Sequence, residues 1–197
     1  MGSRMGYSQA DKALSHERIL KEAAAQIRDG GLESVSVSKL MRSAELTHGG
    51  FYGHFGSRSD LLAHALERAL VDGAAAFRTA ADTQRPTSHA AFIRSYLSRA
   101  HRDSRMEGCA IAALASDVAR ADQNSRDVMT PHVERFISRV ATALDGDDDE
   151  AMFAVSALVG GLLLSRVVTD PKRSDAILRA VKSKLASSPT PREAGPD

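Results

Sequence analysis

The chain has 197 residues, 43% of them hydrophobic but only 5% aromatic, with no tryptophan and one cysteine. That length holds one or two domains, and a core so poor in aromatics must be aliphatic and alanine-rich, which favours helices over strands. A formal net charge of +1 removes any argument from bulk charge for a nucleic-acid partner, and the lone Cys109 excludes a disulfide framework within the chain.

Residues 1–14 are polar and lack the apolar run of a signal peptide, so they are expected to be a disordered N-terminus. Met1–Arg4, ahead of a second methionine at Met5, has the form of an expression remnant. Ser15 is then an N-cap for a helix with Ile19, Leu20, Ala23, Ala24 and Ile27 on one face. Gly30-Gly31 stops it. Val35–Ser38 alternates like a strand but reads better as an extended lead into a second helix, with Ser36 as N-cap and Val37, Leu40, Met41 and Ala44 inward. Thr47 and Ser57 are further N-caps, and Asp60 three residues after Ser57 gives a capping-box-like pair. A long helix follows through Leu61, Leu62, Ala65, Leu66, Ala69, Leu70 and Ala74, with Phe77 extending its stripe.

The segment 82–88, with Pro86, reads as a loop. Phe92 to Ala100 is the next helix, and Cys109 to Ala121 is a small-residue helix buried on most sides. Val133, Phe136, Ile137, Val140 and Leu144 share a face of another. Pro131 could open that helix or kink one begun near Ser125. Asp147 to Glu150 is an acidic start that suits the helix dipole. The uncharged run from Ala151 to Ser165 falls short of a membrane span and reads as a fully buried helix. Pro171 opens the last helix, and 187–197 reads as a disordered tail. The fold expected is all-α with about nine helices: a helix-turn-helix domain over 15–58 and a helical bundle over 59–186. No membrane partner is expected, and the location expected is cytoplasmic.

Three short helices joined by tight turns match the helix-turn-helix plan, in which the third helix faces the major groove. Residues 1–60 carry eight basic and seven acidic residues, but 46–59 holds no acid and has His48, His54 and Arg58. A phosphate-cradling P-loop would need a Lys-Ser/Thr after the glycines and a preceding strand, and neither is present. His48 and His54 have no cysteine or acid near them to complete a metal site. No metal or cofactor is expected.

Ile19 to Leu62 resembles the DNA-binding domain of the TetR family of bacterial transcriptional regulators. The matching residues are Gly31, Ser36-Val37, Leu40, Ala44, Thr47, Gly49, Phe51-Tyr52, His54-Phe55, Ser57 and Leu61-Leu62. The resemblance implies phosphate contacts from Tyr52, His54, Arg58, Ser36 and Ser38. It puts Thr47, His48 and Gly49 at or near base edges and Phe51 and Phe55 in the core. Gly50, which we include in the DNA-facing set, stands where Thr or Ser is common, Gly53 where a longer side chain is common, and His48 where Lys is common. Glu45 replaces a usual turn glycine, a strain if its φ is positive.

The same resemblance implies a C-terminal effector pocket. Phe77, Phe92, Tyr96, Met106, Cys109, Leu114, Met129 and Phe136 are candidate lining residues by apolar character and position, with Tyr96 foremost because its hydroxyl could orient a ligand. Gly108-Cys109 resembles the segment of TetR members that sense electrophiles or oxidants. A cysteine at a helix N-terminus favours thiolate, with Arg102 and Arg105 close in sequence. The alternative reading is a buried cysteine acting as a small apolar residue.

The last two helices would form a homodimer interface through Met152, Phe153, Val155, Leu158, Val159, Leu162, Ile177 and Val181, helped by the small residues Gly160-Gly161. The implied function is a homodimeric repressor released from a palindromic double-stranded DNA operator by an unknown small-molecule effector. A thiol-sensing repressor using Cys109 is the alternative. A helical-bundle enzyme is the reading from another class, but HExxH, GxSxG and any catalytic cluster are missing from the sequence.

Overall fold

The computed structural model describes residues 9–83, 89–144 and 146–187, excepting the side chains of His48, 76–83 and His89. Over these the chain is all-α. Nine α-helices run as α1 (Gln9–Gly30), α2 (Val37–Ser43), α3 (Arg58–Thr83), α4 (His89–Tyr96), α5 (Arg99–Asp103), α6 (Ala110–Arg120), α7 (Gln123–Leu144), α8 (Asp148–Val167) and α9 (Pro171–Ala186). Two short 3-10 turns, Leu32–Ser34 and His48–Gly53, flank α2.

The helix boundaries follow local chemistry. Gly31 adopts φ 86°, where only glycine sits without strain, and its N–H reaches back to the Ile27 carbonyl at 2.8 Å. The Ser57 hydroxyl accepts from the Asp60 N–H at 3.0 Å, while the Asp60 carboxylate accepts from the Gly56 N–H at 2.9 Å. Asp147 caps α8 through the Glu150 N–H at 2.8 Å, and Asp170 caps α9, with Pro171 at its first turn.

Several expectations are corrected. α1 begins at Gln9, so 9–14 are helical, and Ser15 is a buried residue inside the helix rather than its cap. Residues 1–8 and 188–197, expected to be disordered, lie outside the described residues. Ser36 holds the N-cap position of α2, yet its side chain makes no capping bond. The helix expected across 92–100 is two, because the Ser98 hydroxyl caps a new start at His101 N at 3.1 Å. Pro131 lies inside α7, which starts eight residues earlier behind Asp122, whose carboxylate accepts from Ser125 N at 2.8 Å.

Two apolar cores form. The first joins α1, α2, the second 3-10 turn and α3 to Ala110, Leu114 and Val118 of α6 and Met129 of α7. The N-terminal head therefore shares its core with the bundle. The second core unites α4, α7, α8 and α9 around Ile93, Tyr96, Leu97, Leu158 and Leu162.

α8 is not fully buried as expected. Ala151, Ala154, Leu158 and Leu162 are inside, but Met152, Phe153, Leu163, Leu164 and Val167 lie 38–67% exposed on the other side. By length and composition Asp148–Val167 could cross a membrane; here its inward face is part of the protein core. At Gly161 a Cβ would come within 3.0 Å of Val181, so this glycine permits α8 to close on α9.

Candidate nucleic-acid interface and cavity

The stretch Thr47–Ser57 forms the tip of the head. Thr47 has extended backbone, and its hydroxyl accepts from the Gly50 N–H at 3.3 Å. The short helix expected here is a 3-10 turn. Phe51 and Phe55 are 3% and 2% exposed, with ring centroids 5.7 Å apart. They hold the turn on α2 and α3 while Tyr52, 71% exposed, projects outward. A Cβ added at Gly49 or Gly53 would meet nothing within 4 Å. The fold itself does not require glycine at either position.

The implied phosphate-contacting groups differ in state. Ser38 is exposed and Ser36 half-buried. His54 is half-buried near His16, with ring centroids 5.9 Å apart, and its Nδ1 has no partner. Burial first, then His16 and Lys12, push its pKa below the ordinary histidine range. Its side chain is therefore a neutral hydrogen-bonding group at neutral pH. Arg58 Nη2 donates to Glu33 Oε2 at 3.0 Å. The segment free of acids in sequence is thus not free of them in space, because a bend brings Glu33 back to Arg58. The pair is exposed, worth little, and easily exchanged for a phosphate. The His48 side chain lies outside the described residues. Lys39 and Arg42, both exposed on α2, were not singled out in the sequence; their place on the helix preceding the tip was the available signal.

Glu45, in the turn between α2 and the tip, has φ 59°, the one positive-φ non-glycine among the described residues. The conditional strain read from the sequence is therefore present.

Behind the head, a cavity of about 150 Å³ opens among α3, α4, α6 and α7. Of the expected lining residues, Phe92, Tyr96, Cys109 and Phe136 meet there. Leu114 and Met129 do not; they are buried in the core shared with the head. Met106 is 50% exposed elsewhere on the surface, and the Phe77 side chain lies outside the described residues. Sequence reasoning missed Arg135, Arg139 and His132, which also line the cavity. Arg135 and Arg139 sit four apart, flanking Phe136 on one face of α7, a spacing legible in the sequence once Phe136 is placed.

Cys109 is the N-cap of α6 and half-buried. Its N–H donates to His101 Nε2 at 3.0 Å, so His101 Nδ1 carries the proton and donates to the Tyr96 carbonyl at 2.6 Å. The Tyr96 hydroxyl interacts with the Cys109 thiol, and burial first, then that thiol, drives the phenol pKa well up. The arginine near this pair is Arg166, not the expected two. Arg102 is held by Asp103 and Asp175, and Arg105 by Asp29.

Two helices connect cavity and tip. α3 starts at the Ser57 cap and reaches the cavity at Leu70, Gly73 and Ala74. α6 lines the cavity at Ala110 and Ile111, and one turn or two later its Asp117 Oδ2 accepts from the Leu32 N–H at 3.0 Å. Ser59 Oγ also donates to Asp122 Oδ2 at 3.0 Å.

A helix-turn-helix head sharing its core with a cavity-bearing bundle defines a class of DNA-binding regulator. Residues 19–65 match the family described as bacterial regulatory proteins, tetR family. Over 185 residues, covering 86% of this chain and 93% of the relative, the chain is 27% identical to an uncharacterized HTH-type transcriptional regulator of Mycobacterium tuberculosis. Its fold is similar to that of Escherichia coli NemR in reduced form (TM-score 0.71, 19% identity, 90% of this chain and 98% of that one). A TetR-family regulator from Cytophaga hutchinsonii is similar too (TM-score 0.74, 16% identity, 94% and 98%). Residues 19–65 are thus similar to the DNA-binding domain of TetR-family regulators, and the chain is a DNA-binding transcriptional regulator rather than an enzyme.

Proposed function

We propose that this chain is a homodimeric, cytoplasmic repressor, released from a palindromic operator when a small molecule enters the cavity behind the head. The observation that carries the reading is the double attachment of α6. One end lines the cavity, and the same helix holds Leu32 of the head through Asp117. A ligand that displaces α6 displaces the head with it. To act as an inducer, it must bind the displaced state more tightly than the DNA-bound one.

In the assignment we propose, Tyr52, His54, Arg58, Ser36 and Ser38 contact phosphate, and Thr47, His48, Gly49 and Gly50 approach base edges. The open space outside Gly49 and Gly53 supports this, because an absent side chain lets backbone approach the groove. Dimerisation uses the outer face of α8. Val155, Leu158 and Leu162, expected in that interface, are buried within the protomer and serve its own core. Met152, Phe153, Leu163, Leu164 and Val167 remain for a second copy, with the half-buried Val159, Ile177 and Val181 beside them. Gly160 has nothing within 4 Å of its Cβ position and would let the partner helix come close. Two heads on a two-fold axis then suit half-sites about 34 Å apart.

The test is a gel shift on the DNA upstream of the gene, paired with light scattering. A salt-sensitive, sequence-selective shift by a dimer is expected. A monomer with no selective shift refutes the reading.

A second reading, a thiol switch, is favoured by one observation: Cys109 lines the cavity and stands at the N-cap position of α6. Cys109→Ser should then keep operator binding but lose its response to electrophiles; an unchanged response refutes it.

A further inference from the structure

The cavity has two kinds of lining. Leu70, Phe92, Ile111 and Phe136 supply apolar lining. Beside Phe136 the lining also carries Arg135 and Arg139, one helical turn apart on α7 and both exposed to solvent. Among the described residues neither guanidinium has an ion-pair partner, and no carboxylate lines the cavity. The third basic group, His132, is 9% exposed and already engaged, with its Nε2 bonded to Glu67 Oε2 at 2.8 Å.

Several other arginines of the bundle are paired with carboxylates. Arg99 and Arg102 are tied to Asp175, Arg120 to Asp117, and Arg68 to Glu17 and Asp72. Two adjacent arginines free of carboxylates, beside an aromatic-lined cavity, leave an uncompensated positive potential at its rim. A guanidinium presents a planar fork that pairs with a carboxylate in a bidentate manner. The volume, about 150 Å³, far exceeds the roughly 10–15 Å³ that one water needs, yet lies below the ~300–1,000 Å³ of drug-sized sites. It fits a small ligand.

We propose that the cavity takes a small organic carboxylate, with its hydrocarbon or aromatic body against Phe92 and Phe136 and its anionic group on Arg135 and Arg139. The proposal rests on the effector reading above and names the chemical class of the effector. The arginines act as an electrostatic funnel as well as a clamp, since a like-signed pair at a cavity mouth concentrates anions there. The ligand's charge would be met at the α7 rim, and its body would press on Ile111 and Ala110 of α6, the helix that holds the head through Asp117.

The full chain is titrated calorimetrically, at fixed ionic strength, with benzoate and hexanoate, with the uncharged benzamide and hexanamide, and with acetate. The carboxylates should bind at least about tenfold more tightly than their amides, and acetate, lacking a body, should bind more weakly than either. Arg135→Gln/Arg139→Gln should lose that preference, while Arg135→Lys/Arg139→Lys keeps part of it. Both pairs change exposed side chains, and circular dichroism with thermal melting verifies that they fold. Amides that bind as well as carboxylates overturn the proposal. So do carboxylates that bind the Gln pair unchanged, or no carboxylate binding at all. Operator release is read separately. Carboxylates that bind yet leave the DNA complex intact uphold the anion site and refute effector release. A neutral compound that occupies the cavity and releases the operator overturns the anion class and upholds the regulator.

Discussion

The Leu32 N–H donates to Asp117 Oδ2 at 3.0 Å across 85 residues of sequence. It ties the first turn after α1 to the helix that lines the cavity. The contact is tight: a Cβ at Gly31 would fall 2.4 Å from the same carboxylate oxygen, and Gly31 is at φ 86°. Glycine is therefore required at this joint both by conformation and by space.

Asp117→Ala leaves the buried Leu32 N–H without its acceptor, a loss of about 1–3 kcal/mol. Urea unfolding measures this. Asp117→Asn keeps an acceptor oxygen and should lose less. In both variants, ligand occupancy of the cavity should be transmitted less fully to DNA binding, seen as a smaller ratio of operator affinities with and without ligand.

Glu45 is a left-handed residue with a side chain. Such conformations cost of the order of 1–3 kcal/mol in non-glycine residues, partly offset in glycine by greater unfolded-state freedom. Glu45→Gly should therefore stabilise the protein by about 1 kcal/mol, and the β-branched Glu45→Val should destabilise it. Thermal melts of the two variants should move in opposite directions.

Gly49 and Gly53 carry the opposite pair of consequences. Neither is in the left-handed region, and both face open space. Gly49→Ala and Gly53→Ala should leave stability unchanged or raise it by about 0.4–1 kcal/mol. If the backbone abuts DNA, each methyl group should weaken operator binding by about tenfold, or ~1.4 kcal/mol. Anisotropy titration and melting of the same samples separate the two effects.

Much of this was legible in the sequence. Thr47, Ser57 and Gly31 were readable as boundaries because their chemistry is local: a hydroxyl facing a free N–H, a glycine where φ turns positive. The tertiary consequences were not. No periodicity reveals that Glu33 swings back to Arg58, since 25 residues separate them. Ser98 ends one helix and caps another within a continuous apolar pattern. The run from Ala151 to Ser165 is apolar on all sides, so only packing distinguishes the buried Leu158 from the exposed Leu164. Arg135 and Arg139 read as an ordinary solvated face until Phe136 between them is found at the cavity. Cys109 gains its arginine neighbour from α8, not from the adjacent chain.

Three histidines give stability a pH dependence. Burial, the largest cause in each case, lowers the pKa values of His16, His54 and His101 from 6.5. Each is neutral in the fold and takes a proton more readily when unfolded. Their contribution is fully present above 6.5 and is lost as pH falls below 6.5 through the folded values, with a limiting slope of about 1.4 kcal/mol per pH unit for each proton. His101 is fixed as the Nδ1–H tautomer between Cys109 N and the Tyr96 carbonyl. His101→Gln should flatten the decline below pH 6.5; a decline as steep as in the unmodified protein contradicts this assignment.

The central claim is that the exposed face of the Thr47–Ser57 tip reads DNA. Binding of the full chain to its upstream region, titrated against salt with and without Tyr52→Phe and His54→Ala, tests it most directly. The unmodified protein should bind that DNA selectively, with affinity falling steeply as salt rises because phosphate contacts release counterions. Each variant, checked for folding, should bind more weakly across sequences. Binding that is non-selective, or that both folded variants retain in full, contradicts the account.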